Sequence, residues 1–150
     1  MDLLLAKKMK SNISIAFEKT NPPGAEISFT VNTYDIDVAG HVNNIVYVRW
    51  LEDLRNKLFT QIYPMEKLLD INHHLVVVSS ELKYKKQIKL FDKPLGKMFM
   101  QSYSHGIIIL KAEIMVENSL AFIATQKCVL MNLNENKMFT GHIRDLVRQN

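Results

Sequence analysis

The feature that most constrains this fold is a junction where a polar cluster runs directly into a long amphipathic pattern. The cluster occupies residues 34–44 and contains acids, a glycine, a histidine and a pair of asparagines. After it, apolar residues recur at the three- and four-residue spacing of a helix that buries one stripe. These residues are Tyr47, Trp50, Leu51, Leu54, Leu58 and Ile62. The spacing predicts a helix from about Asn43 to Gln61 or Ile62.

The polar cluster therefore lies at the N-terminus of the predicted helix. Asn43 or Asn44 suits the N-cap position, because a short side-chain oxygen can accept from the first free backbone N–H groups. Those N–H groups and the positive end of the helix dipole both favour a ligand that carries negative charge on oxygen. The junction is thus a candidate binding site as well as a helix start.

Alternation of apolar and polar residues predicts strands in the rest of the chain. The predicted strands span residues 27–33, 75–88, 98–103, 107–117 and 121–133, and short helices are predicted over 65–70 and 141–149. Val78, Ser80, Leu82 and Tyr84 are expected on one face of the second strand. Short turns between the last four strands predict antiparallel neighbours. A long helix with one antiparallel sheet indicates an α+β architecture in which the sheet wraps over the helix.

Composition indicates one ordinary globular domain. The chain has 150 residues, 47% of them hydrophobic and 23% charged, which is enough to bury a core. The formal net charge of +4 suits anionic ligands. No basic run is interleaved with aromatic residues, so no nucleic-acid partner is expected.

The sequence also indicates where the protein is located and which kinds of site it lacks. No apolar run approaches the roughly 20 residues of a membrane-spanning helix. Residues 1–24 are expected to form an N-terminal extension rather than a signal peptide, because their apolar residues precede the lysines. The expected location is the cytoplasm. The single cysteine, Cys128, excludes an internal disulfide, and no residues have metal-ligand spacing.

The polar cluster also carries the pattern of a known family. The order D-x-D-x-x-G-H-V-N-N-x-x-Y-x-x-W-x-E is formed by Asp35, Asp37, Gly40, His41, Val42, Asn43, Asn44, Tyr47, Trp50 and Glu52. With this pattern the chain resembles the hotdog-fold acyl-CoA thioesterases of the 4-hydroxybenzoyl-CoA thioesterase-like family. A second family segment is matched by Glu81, Leu82, Tyr84, Lys86, Ile88 and Asp92. Gln87 stands where the family usually has proline, and Phe91 where it usually has glycine.

The resemblance implies a fold and an activity. The fold is an α+β hotdog, a five-stranded antiparallel sheet wrapped around one long central helix. The activity is hydrolysis of a thioester of coenzyme A (CoA) or of acyl carrier protein (ACP). By position, Asp37 would act as nucleophile or as general base, and the backbone N–H of Asn44 would stabilise the oxyanion. His41 would assist Asp37 or the water, or would only order the turn.

The resemblance also implies a substrate surface and a partner. Substrate contacts are expected from Gly40, Asn43, Tyr47, Ser79 and Ser80, although Asn43 could be only a cap and Tyr47 only core. Asp35 is interpreted as a structural acid that bonds nearby backbone N–H groups. The family implies a homodimer or a dimer of dimers, with Asp37 of one chain facing residues 78–83 of the other.

Two further expectations concern the ligand. No cofactor is expected, because CoA is part of the substrate. Its phosphates are expected at surface lysines, and the candidates are Lys83, Lys85, Lys86 and Lys89. The alternative function is a non-catalytic acyl-thioester binding module on the same fold.

Overall fold

The computed structural model describes residues 23–147 of the chain. The predicted N-terminal extension lies outside the described residues up to residue 22, as do residues 148–149 of the predicted terminal helix. The strands are β1 Gly24–Ser28, β2 His73–Tyr84, β3 Leu95–Ser104, β4 Ile107–Val116, β5 Ser119–Asn132 and β6 Lys137–Phe139. The helices are α1 Asn44–Ile62, α2 Met65–Asp70 and α3 Ile143–Val147. None of the helices in this part of the chain is long and apolar enough to cross a membrane.

The strands form one antiparallel sheet in the order β1-β3-β4-β5-β2. The sheet curls over α1, so the predicted α+β hotdog architecture is confirmed. A sixth strand was missed. The short β6 pairs with residues 130–132 of β5, just past the point where Ile107 of β4 pairs with Val129. It therefore pairs with the edge of β5 that extends beyond the end of β4. This pairing depends on tertiary structure and has no local sequence signal.

Helix α1 occupies the centre of the core. Its predicted stripe is buried up to Leu58 and partly buried at Ile62, and Leu51, Leu54 and Leu58 are completely removed from solvent. Each such side chain stabilises the fold by about 1.5–3 kcal/mol relative to an exposed one. Trp50 stacks on Phe29 at a ring-centroid distance of 4.8 Å, which joins the helix to the chain leaving β1.

The ends of α1 follow from local sequence. Asn43 is the N-cap, and its side chain accepts from the Ile45 N–H at 3.1 Å. At the other end, Tyr63 has the extended backbone that a residue before proline prefers, with φ −159° and ψ 108°. Pro64 then caps α2, which has the predicted bounds.

The first predicted strand was placed too late in the chain, because β1 begins at Gly24 and ends at Ser28 rather than spanning residues 27–33. Ser28 pairs with Leu95, the first residue of β3, so the sheet offers no partner strand beyond it. The Phe29 N–H still donates to the Pro94 carbonyl at 2.8 Å. The chain then forms a single 3-10 turn over Thr33–Asp35.

The second predicted strand was wrong at its C-terminal end and in the face assigned to one of its side chains. It stops at Tyr84 because the N–H groups of Lys85 and Lys86 both donate to the Ala121 carbonyl, which turns the chain out of the ladder. A bulge between Val77 and Ser79 also shifts the register. Val78 is consequently 54% exposed and does not belong to the face shared by its neighbours Val77 and Ser80.

Candidate active site

The Asp37 carboxylate is held on a tight reverse turn that precedes α1. The Gly40 N–H donates to the Asp37 carbonyl at 3.0 Å, and the Asp37 N–H donates to the His41 carbonyl at 3.0 Å. Gly40 has φ +82°, which only glycine adopts at little cost. A Cβ at Gly40 would meet no atom within 4 Å, so this glycine is required by its backbone conformation rather than by crowding within the described chain.

The two oxygens of Asp37 have different surroundings. Oδ1 accepts from the Ala39 N–H at 2.8 Å, which fixes the side chain within its own turn. Oδ2 lies 4.0 Å from His41 Nδ1, and both side chains are about one quarter exposed, at 28% for Asp37 and 25% for His41. The carboxylate is therefore positioned but retains one oxygen that can reach a ligand.

His41 has one nitrogen turned toward the backbone. Its Nδ1 lies 3.3 Å from the Val42 carbonyl oxygen, which can only accept a hydrogen bond. In the neutral ring this contact places the proton on Nδ1 and leaves Nε2 as the acceptor. His41 can thus orient or accept from a water molecule through Nε2.

Asp35 is buried and structural, in agreement with the sequence interpretation. Its Oδ2 accepts from the Asn32 backbone N–H at 2.8 Å, and its carbonyl accepts from the Asn43 N–H at 2.8 Å. Arg49 lies 4.0 Å from its other oxygen. Asp35 therefore ties the loop before the site to the first residues of α1.

The start of α1 presents a free donor beside this turn. The Ile45 N–H is satisfied by the Asn43 side chain, and the Val46 N–H donates to the Asn43 carbonyl at 2.9 Å. Among residues 23–147, the Asn44 N–H makes no hydrogen bond. The first exposed donor of the helix is thus Asn44, where the dipole favours negative charge.

A cleft of about 160 Å³ opens at this helix terminus. Its lining comprises His41, Val42, Asn44, Tyr47, Tyr84, Lys85, Lys86 and Gln87. The Val42 N–H donates to the Ile88 carbonyl at 2.8 Å, which joins the two walls of the cleft. Among the predicted site residues, His41, Asn44 and Tyr47 therefore come together, with Asp37 beside them through its contact with His41.

The back of the cleft is aromatic. Tyr47 is only 3% exposed and packs against Tyr84 and Phe122, with ring centroids at 5.1 and 4.7 Å. Burial raises the pKa of Tyr47 to about 12, against a smaller opposing effect from a hydrogen bond with the Ile88 backbone. The hydroxyl is therefore neutral near pH 7, and Tyr47 belongs to both the core and the cleft wall.

Other predicted contacts lie elsewhere in the single chain. Gly40 and Asn43 are neighbours in sequence of residues that line the cleft but do not line it themselves. Ser79 and Ser80 lie on β2 before Tyr84, the residue of that strand that lines the cleft. The Ser80 hydroxyl accepts from Gln126 Nε2 at 3.0 Å. Ser79 and Ser80 are exposed on β2, whose outer edge has no partner strand among the described residues.

Sequence reasoning left some lining residues out of the site. Tyr84 and Gln87 lie in or beside the second family segment, which by itself only supports the resemblance, whereas Lys85 and Lys86 were already candidates for the CoA phosphates. The signal was the segment itself, because a motif that spans the end of the edge strand can meet the helix terminus once the sheet curls over α1.

Comparisons with known proteins agree with this architecture. The family model of the Thioesterase-like superfamily matches residues 31–141. Among solved structures, a DHNA-CoA thioesterase from Staphylococcus aureus is 18% identical, with a TM-score of 0.75 over 83% of this chain and 87% of that one. A search of curated proteins gives no match.

Two further solved structures were obtained with CoA. The S. aureus protein SAV2348 in complex with CoA is 13% identical, with a TM-score of 0.76 over 87% of this chain and 85% of that one. A Thermus thermophilus thioesterase complexed with CoA and Zn is 20% identical, with a TM-score of 0.70 over 87% and 96%. The family match spans most of the chain, which therefore belongs to the thioesterase-like superfamily and to the thioester-hydrolase class expected from its motif.

Proposed function

We propose that this chain hydrolyses an acyl-CoA thioester to the free acid and CoA, with Asp37 and the Asn44 N–H as its principal catalytic groups. The observation that carries the proposal is their juxtaposition. A positioned carboxylate with one available oxygen lies beside His41, which lines a cleft, and Asn44, whose helix N-terminal N–H is free among the described residues, lines the same cleft. The named CoA thioesterases of the same fold support the choice of substrate.

Thioester hydrolysis requires a hydrogen-bond donor for the oxyanion and a nucleophile or an activated water, and this geometry fits both requirements. In the proposed complex, the thioester carbonyl oxygen accepts from the Asn44 N–H, which stabilises the negative charge of the tetrahedral intermediate. A water oxygen, or Asp37 itself, bonds to the carbonyl carbon, the C–S bond breaks and the thiolate leaves. If Asp37 attacks, a second water hydrolyses the mixed anhydride. If Asp37 acts as base, it takes the proton of the attacking water.

His41 and Tyr47 have supporting roles in this proposal. His41 Nε2 accepts from the attacking water while Nδ1 is held by the Val42 carbonyl. Tyr47 forms the aromatic wall of the cleft, against which the acyl group begins.

The site is completed by a second copy of the chain in this proposal. The outer edge of β2 exposes a row of backbone donors and acceptors in the described part of the chain, and such an edge pairs readily with another strand. Pairing of two β2 strands would bring exposed Ser79 and Ser80 toward Asp37 of the other protomer. This pairing gives those two serines a place at the substrate.

The direct experiment offers a panel of acyl-CoAs to the protein and follows the released thiol. Asp37→Asn keeps the Oδ1 acceptor that the Ala39 N–H uses, so it removes charge and basicity without removing the turn. We expect its kcat to fall by at least about 10²-fold. Asp53→Asn, on the exposed side of α1, is the matched control and should retain full turnover.

The alternative function is a binding module without turnover. It is favoured by one observation, namely that Asp37 borders the single-chain cleft rather than lining it. Tight acyl-CoA binding with no thiol release at any acyl length would establish the alternative. Near-normal turnover by Asp37→Asn would remove this carboxylate from the mechanism.

A further inference from the structure

The segment between β2 and β3 holds an aromatic ring in an unusual position. Lys89–Asp92 form a tight turn in which the Lys89 N–H donates to Asp92 Oδ2 at 2.8 Å and the Asp92 N–H donates to the Lys89 carbonyl at 3.1 Å. Phe91 lies in this turn with φ +49° and is 93% exposed. A bulky residue is strained at positive φ, and an exposed ring gains nothing from burial. Neither backbone preference nor packing accounts for Phe91.

The turn is fixed next to the proposed active site. Ile88 accepts from the Val42 N–H, and Lys85 and Lys86 line the cleft. Phe91 follows Ile88 by three residues and so lies within about 10 Å of it. A ligand whose reacting end occupies the cleft can therefore extend its other end over this ring.

The surroundings of the ring are basic. The segment carries four lysines, Lys85, Lys86, Lys89 and Lys93, against the single carboxylate of Asp92. The Asp92 carboxylate is occupied by the turn, and none of the four lysines pairs with a carboxylate in the described part of the chain. Lys83 differs, because it pairs with Glu81 at 3.3 Å. The ring thus stands among uncompensated ammonium groups that suit phosphate.

We propose that Phe91 and these lysines form a nucleotide subsite, in which the adenine of CoA stacks on the Phe91 ring and its phosphates meet the lysines. The inference rests on the proposed function for the identity of the substrate. An aromatic ring can stack on a base through its π-face, and ammonium groups attract the adjacent phosphates. Because the arm of ACP carries no adenine, the subsite selects CoA thioesters over ACP thioesters.

The test compares each acyl-CoA with the matching acyl-pantetheine thioester, which lacks the nucleotide. Phe91→Gly suits the positive φ and preserves the turn, whereas Phe91→Leu keeps apolar bulk without a π-face. We expect both variants to lose at least about fivefold in kcat/KM on acyl-CoA. Both should keep the wild-type kcat/KM on acyl-pantetheine. Phe99→Leu, on the face of β3 away from the cleft lining, is the control and should match the wild type on both substrates.

Calorimetry with CoA and with pantetheine separates this inference from the proposed function, because it needs no turnover. The wild type should bind CoA more tightly than pantetheine, and Phe91→Gly should abolish most of that difference. An absence of hydrolysis with this binding difference intact would reject the catalytic proposal and uphold the subsite. Equal losses on both thioesters, an unchanged Phe91→Gly, or a greater loss on acyl-ACP than on acyl-CoA would each overturn the subsite.

Discussion

The proposed oxyanion donor can be removed by a single substitution that the helix tolerates. Asn44 occupies the first position of α1, where proline is favoured because that N–H makes no intrahelical bond. The preceding Asn43 has φ −64° and ψ 141°, the conformation that a residue before proline adopts. Asn44→Pro should therefore delete the donor and leave the helix start in place, with a change in unfolding free energy within about 1 kcal/mol.

The catalytic loss should be much larger than the loss of stability. Removal of one oxyanion donor typically lowers kcat by about 10²–10³-fold, or about 2.7–4 kcal/mol of transition-state stabilisation. Asn44→Ala is the matched control, because it removes the side chain and keeps the N–H. We expect the alanine variant to remain within a few-fold of the wild type in an assay of thiol release.

The split between kcat and KM decides the interpretation of Asn44→Pro. The proline ring projects where the N–H pointed, so simple obstruction of the cleft would raise KM. Loss of an interaction made in the transition state would lower kcat with KM little changed. If the proline and alanine variants turn over at the same rate, the Asn44 N–H is not the oxyanion donor and the mechanism must place it elsewhere.

Two further predictions concern the fold and the assembly. Burial raises the pKa of Tyr47 from its ordinary 10.0 to about 12, so the unfolded chain ionises first and stability present below pH 10 is lost as the pH rises toward 12. Urea unfolding measured from pH 10 to 12 should show a smaller loss of unfolding free energy for Tyr47→Phe than for the wild type. The same dependence of unfolding free energy on pH in both proteins would contradict the assignment. Light scattering should give at least twice the 17.4 kDa mass of one chain, and a monomer at assay concentration would contradict the paired β2 edges.

The parts of the fold that local chemistry determines could be predicted from sequence. The α1 helix has its stripe, its Asn43 cap and the proline after Tyr63 written within one stretch of chain. The connection between β4 and β5 is equally local, since Glu117 and Asn118 have φ +50° and +63° and form the tight hairpin expected there. The motif at residues 35–52 identified the family, which the match over residues 31–141 confirmed.

The parts that depend on distant pairing could not be predicted. The bulge at Val77, the missed β6 and the early end of β1 each depend on which strand lies alongside, and no local pattern records that. The roles of Ser79 and Ser80 remain predictions, because they depend on a second chain. Tyr84 was missed as a wall of the cleft for the related reason that it meets Tyr47 only in three dimensions.

The hydrogen bond between Val42 and Ile88 couples two stretches of chain that are far apart in sequence. We expect a change that shortens or lengthens the connector before Ile88 to displace the turn that holds Asp37 as well as the connector itself. Attempts to transplant this connector between relatives should therefore keep its length up to residue 88 constant and vary only the tip beyond it.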